Sequence, residues 1–297
     1  MPSFEKVNPS HPDKVADRIA GAIVDLAYKR EPEPKVAVEV LLGHGNCNII
    51  VESSQSFKQT DIRPIVDRIV DDEEKPKLHL VSVQQDVHLA ENQNREERRC
   101  GDNGIFKGSP VTELQRKLTA IAKFTYSRFP FDGKYIITQT GALARGMVPQ
   151  LEATICQSHM SVEQQKELAK DIMALGINEL LSINPLGEWT GGISVDSGAT
   201  NRKLGSDMGD GVTGGGLHGK DYSKPDVSVN IVCFLLAQKL NKDIYAEVSI
   251  GDLYVYFYDK ERTQVGCMGF DKVIRVAKDY ISGIGGFEKF AEWGLIR

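Results

Sequence analysis

Asp226–Lys260 reads DVSVNIVCFLLAQKLNKDIYAEVSIGDLYVYFYDK. Its first part predicts a helix over 226–240, and its second part predicts two strands, Ile244–Ile250 and Leu253–Tyr258, with Gly251-Asp252 as the turn between them. A second helix follows over Lys272–Ile281. The same order, helix then two strands then helix, recurs twice upstream. Apolar positions Val15, Ile19, Ala22, Ile23 and Leu26 set a helix over Asp13–Tyr28, with Pro12 placed for its start. Strands Lys35–Leu42 and Asn46–Glu52 flank the turn Gly43-His44-Gly45; helix Thr60–Val70 and a strand over Lys77–Val83 complete that copy. The middle copy has a helix over Val111–Phe124, strands Tyr135–Gln139 and Gln150–Ile155, and a helix over Ser161–Leu181. No residue-level repeat accompanies the pattern. Three αββα units predict an α+β protein with small, largely antiparallel sheets and helices on one face.

Boundaries near Cys100–Gly104 and Asn184–Gly187 divide the chain into units 1–100, 101–183 and 184–297, whose sheets can exchange terminal segments. Ala37–Val40 and Val229–Leu236 read as strands too apolar for a solvated face, so the second face of the sheets is expected to pack on another unit or subunit. Val38 and Val40 are taken as outward positions of that face, and an obligate homodimer is the expected assembly.

A net charge of −5 and a pI near 5.8 argue against general nucleic-acid binding. No apolar run approaches the roughly 20 residues of a membrane span, and MPSFEKVNPSHPDK lacks the apolar core of a signal peptide. Five scattered cysteines, with no CxxC pair, favour reduced thiols and a cytoplasmic location over a disulfide framework or zinc site.

Chemistry concentrates in Asn201–Asp226, NRKLGSDMGDGVTGGGLHGKDYSKPD. Glycines let backbone approach a ligand, and the cations Arg202, Lys203, Lys220 and Lys224 suit anionic oxygens. Aspartates among them suit a divalent metal that arrives with a polyphosphate. Shorter motifs elsewhere share this character: Ser10–Lys14 at a helix entry, Gly101-Asp102-Asn103-Gly104, and Asp132-Gly133-Lys134.

Together these motifs resemble the S-adenosylmethionine synthetases. HPDK stands at 11–14, VAVE at 36–39, GDNG at 101–104, DGK at 132–134 and NP-x-G at 184–187. D-x-G-x-T-x-RK follows over 196–203, and GGG-x-x-GKD-x-x-K-x-D over 214–226. The resemblance implies three α+β units about a pseudo-threefold axis and attack of the methionine sulfur on C5′ of ATP. Tripolyphosphate would leave and be hydrolysed to pyrophosphate and phosphate. It also implies that His11, Asp132, Lys134, Arg202, Lys203 and Lys220 contact ATP, with His11 at the breaking C5′–O bond. Asp102 would lie near the ribose and the new sulfonium, and Trp189 would stack on adenine. Methionine would be held by Glu52, Asp196, Lys224 and Gln84 or Gln85. Asp13 and Asp226 would hold Mg²⁺, two ions per site, and Glu39 would mark a K⁺ position. The partners implied are ATP, L-methionine and a second copy of the chain in a homodimer with active sites at its interface, or a tetramer.

The chain departs from the family at Ser10, Asn103 and Glu188, in a shorter TGGGLHGKD segment and in its ending at Trp293–Arg297. These departures are the support for an alternative reading, a catalytically weak nucleotide-binding homologue that acts as a subunit partner. A kinase-like phosphoryl transferase lacks the GxxxxGK[ST] motif it would need. The polar stretch 86–100 is expected to form a lid that excludes water from the site.

Overall fold

A computed structural model describes residues 2–70, 75–86, 98–140, 150–174 and 180–297, and these form a mixed α+β fold with three four-stranded sheets. The expected lid lies mostly outside the described residues.

Strand β1 (Ser3–Val7) precedes helix α1 (Pro12–Arg30), where Pro12 occupies the helix start. Strands β2 (Val36–Gly43) and β3 (Asn46–Ser53), helix α2 (Gln59–Ile69) and strand β4 (Lys77–Gln84) follow. The middle of the chain holds β5 (Gly104–Gly108), α3 (Glu113–Arg128), β6 (Gly133–Thr140), β7 (Gln150–Gln157), α4 (Val162–Ala174) and β8 (Leu180–Ile183). The expected helix through Leu181 is therefore too long, because Leu180–Ile183 pairs in parallel with β7. The last part holds β9 (Ser197–Ala199), the short helix α5 (Leu204–Met208), α6 (Pro225–Leu240), β10 (Ile244–Val248), β11 (Tyr254–Tyr258), β12 (Gln264–Gly269), α7 (Phe270–Ile284) and α8 (Phe287–Trp293).

Each sheet recruits one strand from far along the chain. The orders are β1-β6-β7-β8, β12-β11-β10-β5 and β4-β3-β2-β9. Seven of the nine strand pairs are antiparallel; β3–β4 and β7–β8 are parallel.

The helix expected over 226–240 is present, so Val229–Leu236 is helical and not the strand also read there. Helix α6 is buried on nearly all sides, from Val227 through Ala237, so its sequence lacks the polar face that marks a surface helix. The register of β2 also differs from expectation. Val38 and Val40 are 1% and 2% exposed and face the helices, while Leu41 is 53% exposed on the opposite face. Across the sheet, Glu39 pairs Ile50 and Ile50 pairs Val81, so Leu41, Ile50, Val81 and Val83 share the outer face with Glu39 and Glu52. With a period of two, a shift of one residue turns every side chain over.

The borrowed strand β9 positions the site. It pairs with Leu41–Gly43 and crosses the start of α1 so closely that a Cβ on Gly198 would lie 2.1 Å from the carbonyl of Pro12. We expect Gly198→Ala to destabilise the fold by about 1–3 kcal/mol, since backbone must move to admit the methyl. Urea denaturation checks this, and an unchanged midpoint would contradict the packing.

Candidate functional site

The entry of α1 gathers the first group of charged side chains. His11 is the N-cap residue, and its Nδ1 accepts the backbone N–H of Asp13 at 3.2 Å. That bond leaves the neutral ring with its proton on Nε2, available as a donor. Burial, with Lys203 and Lys134 nearby, lowers the imidazole to about 4, so it is neutral at physiological pH.

Asp13 is buried, with Oδ1 accepting the N–H of Ala199 at 2.9 Å and Oδ2 meeting the Lys203 ammonium at 2.9 Å. Arg202 approaches Oδ1 at 3.5 Å and is more than half exposed. Burial alone would raise the Asp13 carboxyl; the bonds from Lys203 and Ala199 overcome it and hold the group below its ordinary value. The reason these residues meet is topological: β9 delivers Ala199 to the start of α1, and the turn after it presents Arg202 and Lys203.

Asp132 and Asp196 complete this group. Both carboxylates act on His11 or on each other electrostatically, and Asp132 also feels Asp13 and Lys203. Asp132 lies in the wall of a cleft of about 160 Å³ lined also by Ser10, Phe131, His159, Gly191 and Gly192. Its Oδ2 accepts the N–H of Gly192 at 3.0 Å. Lys134, on β6, is half-exposed and pairs with Glu5 at 3.1 Å. Trp189 donates Nε1–H to Asn184 at 3.2 Å, and its carbonyl accepts from His159, which sits against Phe131 at 4.9 Å between ring centroids.

A second group forms at the start of α6. Lys220 is ion-paired to Asp226, and Lys224 is the N-cap position of the helix. Gly215 lies against Asp226 so tightly that a Cβ there would fall 2.0 Å from its Oδ1. Asp102 precedes β5 and shares the electrostatic surroundings of Cys100 with Asp226. Glu39 is hydrogen-bonded to Thr200 on the outer side of β2. Glu52 and Gln84 are exposed near the ends of β3 and β4. Gln85 is buried, and among the described residues its Oε1 has no hydrogen-bond partner. Among the described residues, no hydrogen bond or ion pair joins the first group to the second.

The three departures have local structural work. Ser10 donates to the carbonyl of Pro130 at 3.0 Å, Asn103 Oδ1 accepts the N–H of Ile250 at 2.8 Å, and Glu188 accepts the N–H of Val162 at 3.1 Å at the start of α4.

Sequence reasoning missed a buried layer beneath the site. Lys14 is fully buried, and its ammonium bonds Asp17 Oδ2 at 3.0 Å and Asp207 Oδ2 at 2.7 Å, with His218 Nε2 at 3.3 Å. Asp17, Asp207 and His218 are spaced as metal ligands would be, but the Lys14 ammonium fills the place between them. The signal available was the i,i+3 spacing of Lys14 and Asp17 on a helix. Lys6, equally buried, donates to the carbonyls of Ser206, Trp293 and Ile296 and ties the C-terminal residues to α5.

A pH prediction follows from Asp132. Burial raises its carboxyl to about 6, against about 3.9 in an unfolded chain. The folded protein therefore holds this proton more tightly, and stability is lost as pH rises through the interval between those values. Asp132→Asn keeps an oxygen for Gly192 and removes the charge. In the ligand-free protein it should be more stable than the parent at pH 7.5, with the gain gone by about pH 4. Urea denaturation at both pH values measures it; a gain that persists at low pH would contradict the linkage.

Comparisons with known proteins bear on the family and the fold. Residues 2–92 match the S-adenosylmethionine synthetase N-terminal domain. The S-adenosylmethionine synthase of Acholeplasma laidlawii is 28% identical over 287 residues, covering 80% of this chain and 74% of the relative. That of Helicobacter pylori is 29% identical over 280 residues, covering 80% and 72%. An unusual S-adenosylmethionine synthetase from Campylobacter jejuni superposes with a TM-score of 0.73 at 19% identity, covering 99% of this chain and 94% of that one. The chain resembles the S-adenosylmethionine synthetases along most of its length and shares the fold of one of them.

Proposed function

We propose that this chain is a methionine adenosyltransferase, joining the methionine sulfur to C5′ of ATP and releasing phosphate and diphosphate. The observation that carries the reading is the convergence of Lys203, Arg202 and a neutral His11 on the buried Asp13 at the start of α1. A thioether attacks without a base, so the barrier lies in the departing triphosphate. Cations and a helix N-terminus fixed beforehand around that charge lower the barrier without reorganising during the reaction. His11, with its proton on Nε2, donates to the oxygen leaving C5′. Lys134, Arg202, Lys203 and Lys220 hold the phosphates, Asp132 lies at the nucleoside cleft and Trp189 stacks on adenine. Asp102 lies by the ribose and sulfonium.

Asp13 and Asp226 fit Mg²⁺. This ion takes one or two carboxylates and completes its shell with phosphate oxygens and water. Each carboxylate is already matched to a cation, Lys203 or Lys220, which the ion and its phosphates would redistribute. When bound, the metal supplies charge neutralisation on the triphosphate oxygens. Glu39, with Thr200, is the K⁺ candidate. Methionine is assigned to Glu52, Asp196, Lys224 and Gln84 or Gln85, and the unpaired Gln85 Oε1 suits an ammonium donor.

The assembly we propose is a homodimer whose partner closes the site and joins the two charge groups. Its support is the apolar outer face: Leu41, Ile50, Val81 and Val83 on one sheet, with Ile105, Tyr254 and Tyr256 on another. No helix among the described residues is long and apolar enough to cross a membrane, and the five cysteines are unpaired. The unpaired cysteines support the cytoplasmic location we propose.

Incubation with ATP, methionine, Mg²⁺ and K⁺ should give S-adenosylmethionine with phosphate and diphosphate; ATP binding without product would overturn the reading. Lys203→Ala or Lys220→Ala should lower kcat by roughly 10²–10³ with a smaller effect on methionine KM. His11→Asn should slow sulfonium formation and spare hydrolysis of added tripolyphosphate, and equal loss of both would remove His11 from C5′–O cleavage. Leu41→Lys with Ile50→Lys should yield an inactive monomer in sedimentation. An active dimer carrying both lysines would place the interface elsewhere.

A further inference from the structure

We propose that Asn201 is a positioning residue that locks the Arg202-Lys203 turn to the Gly216–Lys220 arm, so that both anion-binding segments move as one body. Asn201 has a left-handed backbone, φ 63°, which few side chains other than glycine, asparagine and aspartate adopt readily. Its side chain makes a two-point clamp on one residue of the other arm. Oδ1 accepts the N–H of His218 at 2.8 Å, and Nδ2 donates to the carbonyl of His218 at 3.2 Å. The fit is close: a Cβ on Gly216 would lie 2.7 Å from the Asn201 amide.

The backbone of Asn201 is fixed from the other side. Its N–H donates to Asp17 Oδ1 at 2.8 Å, while Asp17 Oδ2 receives the Lys14 ammonium. His218 in turn carries its ring to Asp207 Oδ2 at 2.8 Å, and Asp207 lies on α5, the helix that Lys203 starts. A closed circuit results, running from α1 through Asp17 to Asn201, across the clamp to His218, and back through Asp207 to Lys14. Arg202 and Lys203 leave the circuit at one point, and Gly219-Lys220 leave it at another. No hydrogen bond or ion pair among the described residues joins the two pairs directly; each arm is bonded to β2, and the Asn201 clamp adds the side-chain link from one arm to the other. A triphosphate bridging Lys203 and Lys220 needs their spacing set in advance, because displacing catalytic groups by about 1 Å can cost up to about 100-fold.

The inference rests on the adenosyltransferase reading for its kinetic consequence, but not for its binding consequence. The test uses the full-length chain with Asn201→Gly, which keeps the backbone conformation and deletes the clamp. Asn201→Asp keeps the acceptor for the His218 N–H and sets an oxygen against the His218 carbonyl. Titration calorimetry with tripolyphosphate and Mg²⁺, steady-state kinetics and thermal melting are measured for parent and variants. Asn201→Gly should lose roughly 10- to 100-fold in kcat and weaken tripolyphosphate binding in parallel. Methionine KM should stay within about twofold, and Asn201→Asp should fall between Gly and the parent. Parental kcat and tripolyphosphate affinity in Asn201→Gly would overturn the proposal. So would equal losses for tripolyphosphate and methionine that follow a lowered melting temperature, which mark general loosening of the fold. If Asn201→Gly does not fold, Asn201→Asp decides by the same readouts. A parent that binds tripolyphosphate but makes no S-adenosylmethionine would sink the enzymatic reading alone, and the calorimetry would still judge the clamp.

Discussion

The buried ammonium of Lys14 is the interaction on which the rest of the site depends. Two carboxylates, Asp17 and Asp207, and the His218 ring surround it with no exposure to solvent. Burial by itself would lower the lysine; the two carboxylates outweigh it and raise the group, so it stays charged. The same ammonium and His218 hold Asp207 well below the ordinary carboxylate range, against the effect of its own burial. Removing one member of such a set would leave an unpaired charge in the interior, at a cost of about 3–5 kcal/mol. The set is therefore obligatory once buried, and it joins α1, α5 and the glycine-rich arm at one point.

Adjacent residues of one helix turn thus serve two layers. Asp13 faces the cations of the cleft, while Lys14 faces the interior. Helical geometry separates successive side chains by about 100°, which lets HPDK present Asp13 to Lys203 and Lys14 to the interior at once. Above the anchor, the surroundings of His11 and Asp13 hold each in one charge state. His11 is kept neutral by burial and nearby lysines, and Asp13 is kept charged by Lys203. Asp132 has a backbone donor from Gly192, and burial raises its carboxyl.

Much of this was legible in the sequence, for definite reasons. Helices α3 and α7 bury one face, so their apolar periodicity set their limits to within a few residues. Helix α6 is enclosed, and a continuous apolar run such as Val229–Leu236 does not distinguish buried helix from buried strand. Strands β1, β5 and β9 are 5, 5 and 3 residues long and pair with segments far away in sequence. A three-residue strand inside a polar, glycine-containing run has no alternation to reveal it. Val38 and Leu41 show a different limit: both belong to the same apolar strand, and only the position of α1 decides which face is interior. The charged motifs were legible as chemistry. The division of Asp13 from Lys14, and the circuit through Asn201 and His218, required the fold.

The borrowed strands explain why the site needs so few regular elements. β9 contributes little sheet by itself, yet it carries Ala199 to Asp13 and places Asn201 above Asp17. The glycine-rich arm makes the matching contact on the same strand, where Gly219 and Asp221 bond the backbone of β2 at Val38 and Val36. Both arms are thereby stitched to β2, which is paired along its whole length with β3. A loop of this composition would cost conformational entropy to order at the moment of binding. Here backbone bonds to β2 and the buried charges beneath α1 meet that cost during folding, and the cations stand in place before any ligand arrives.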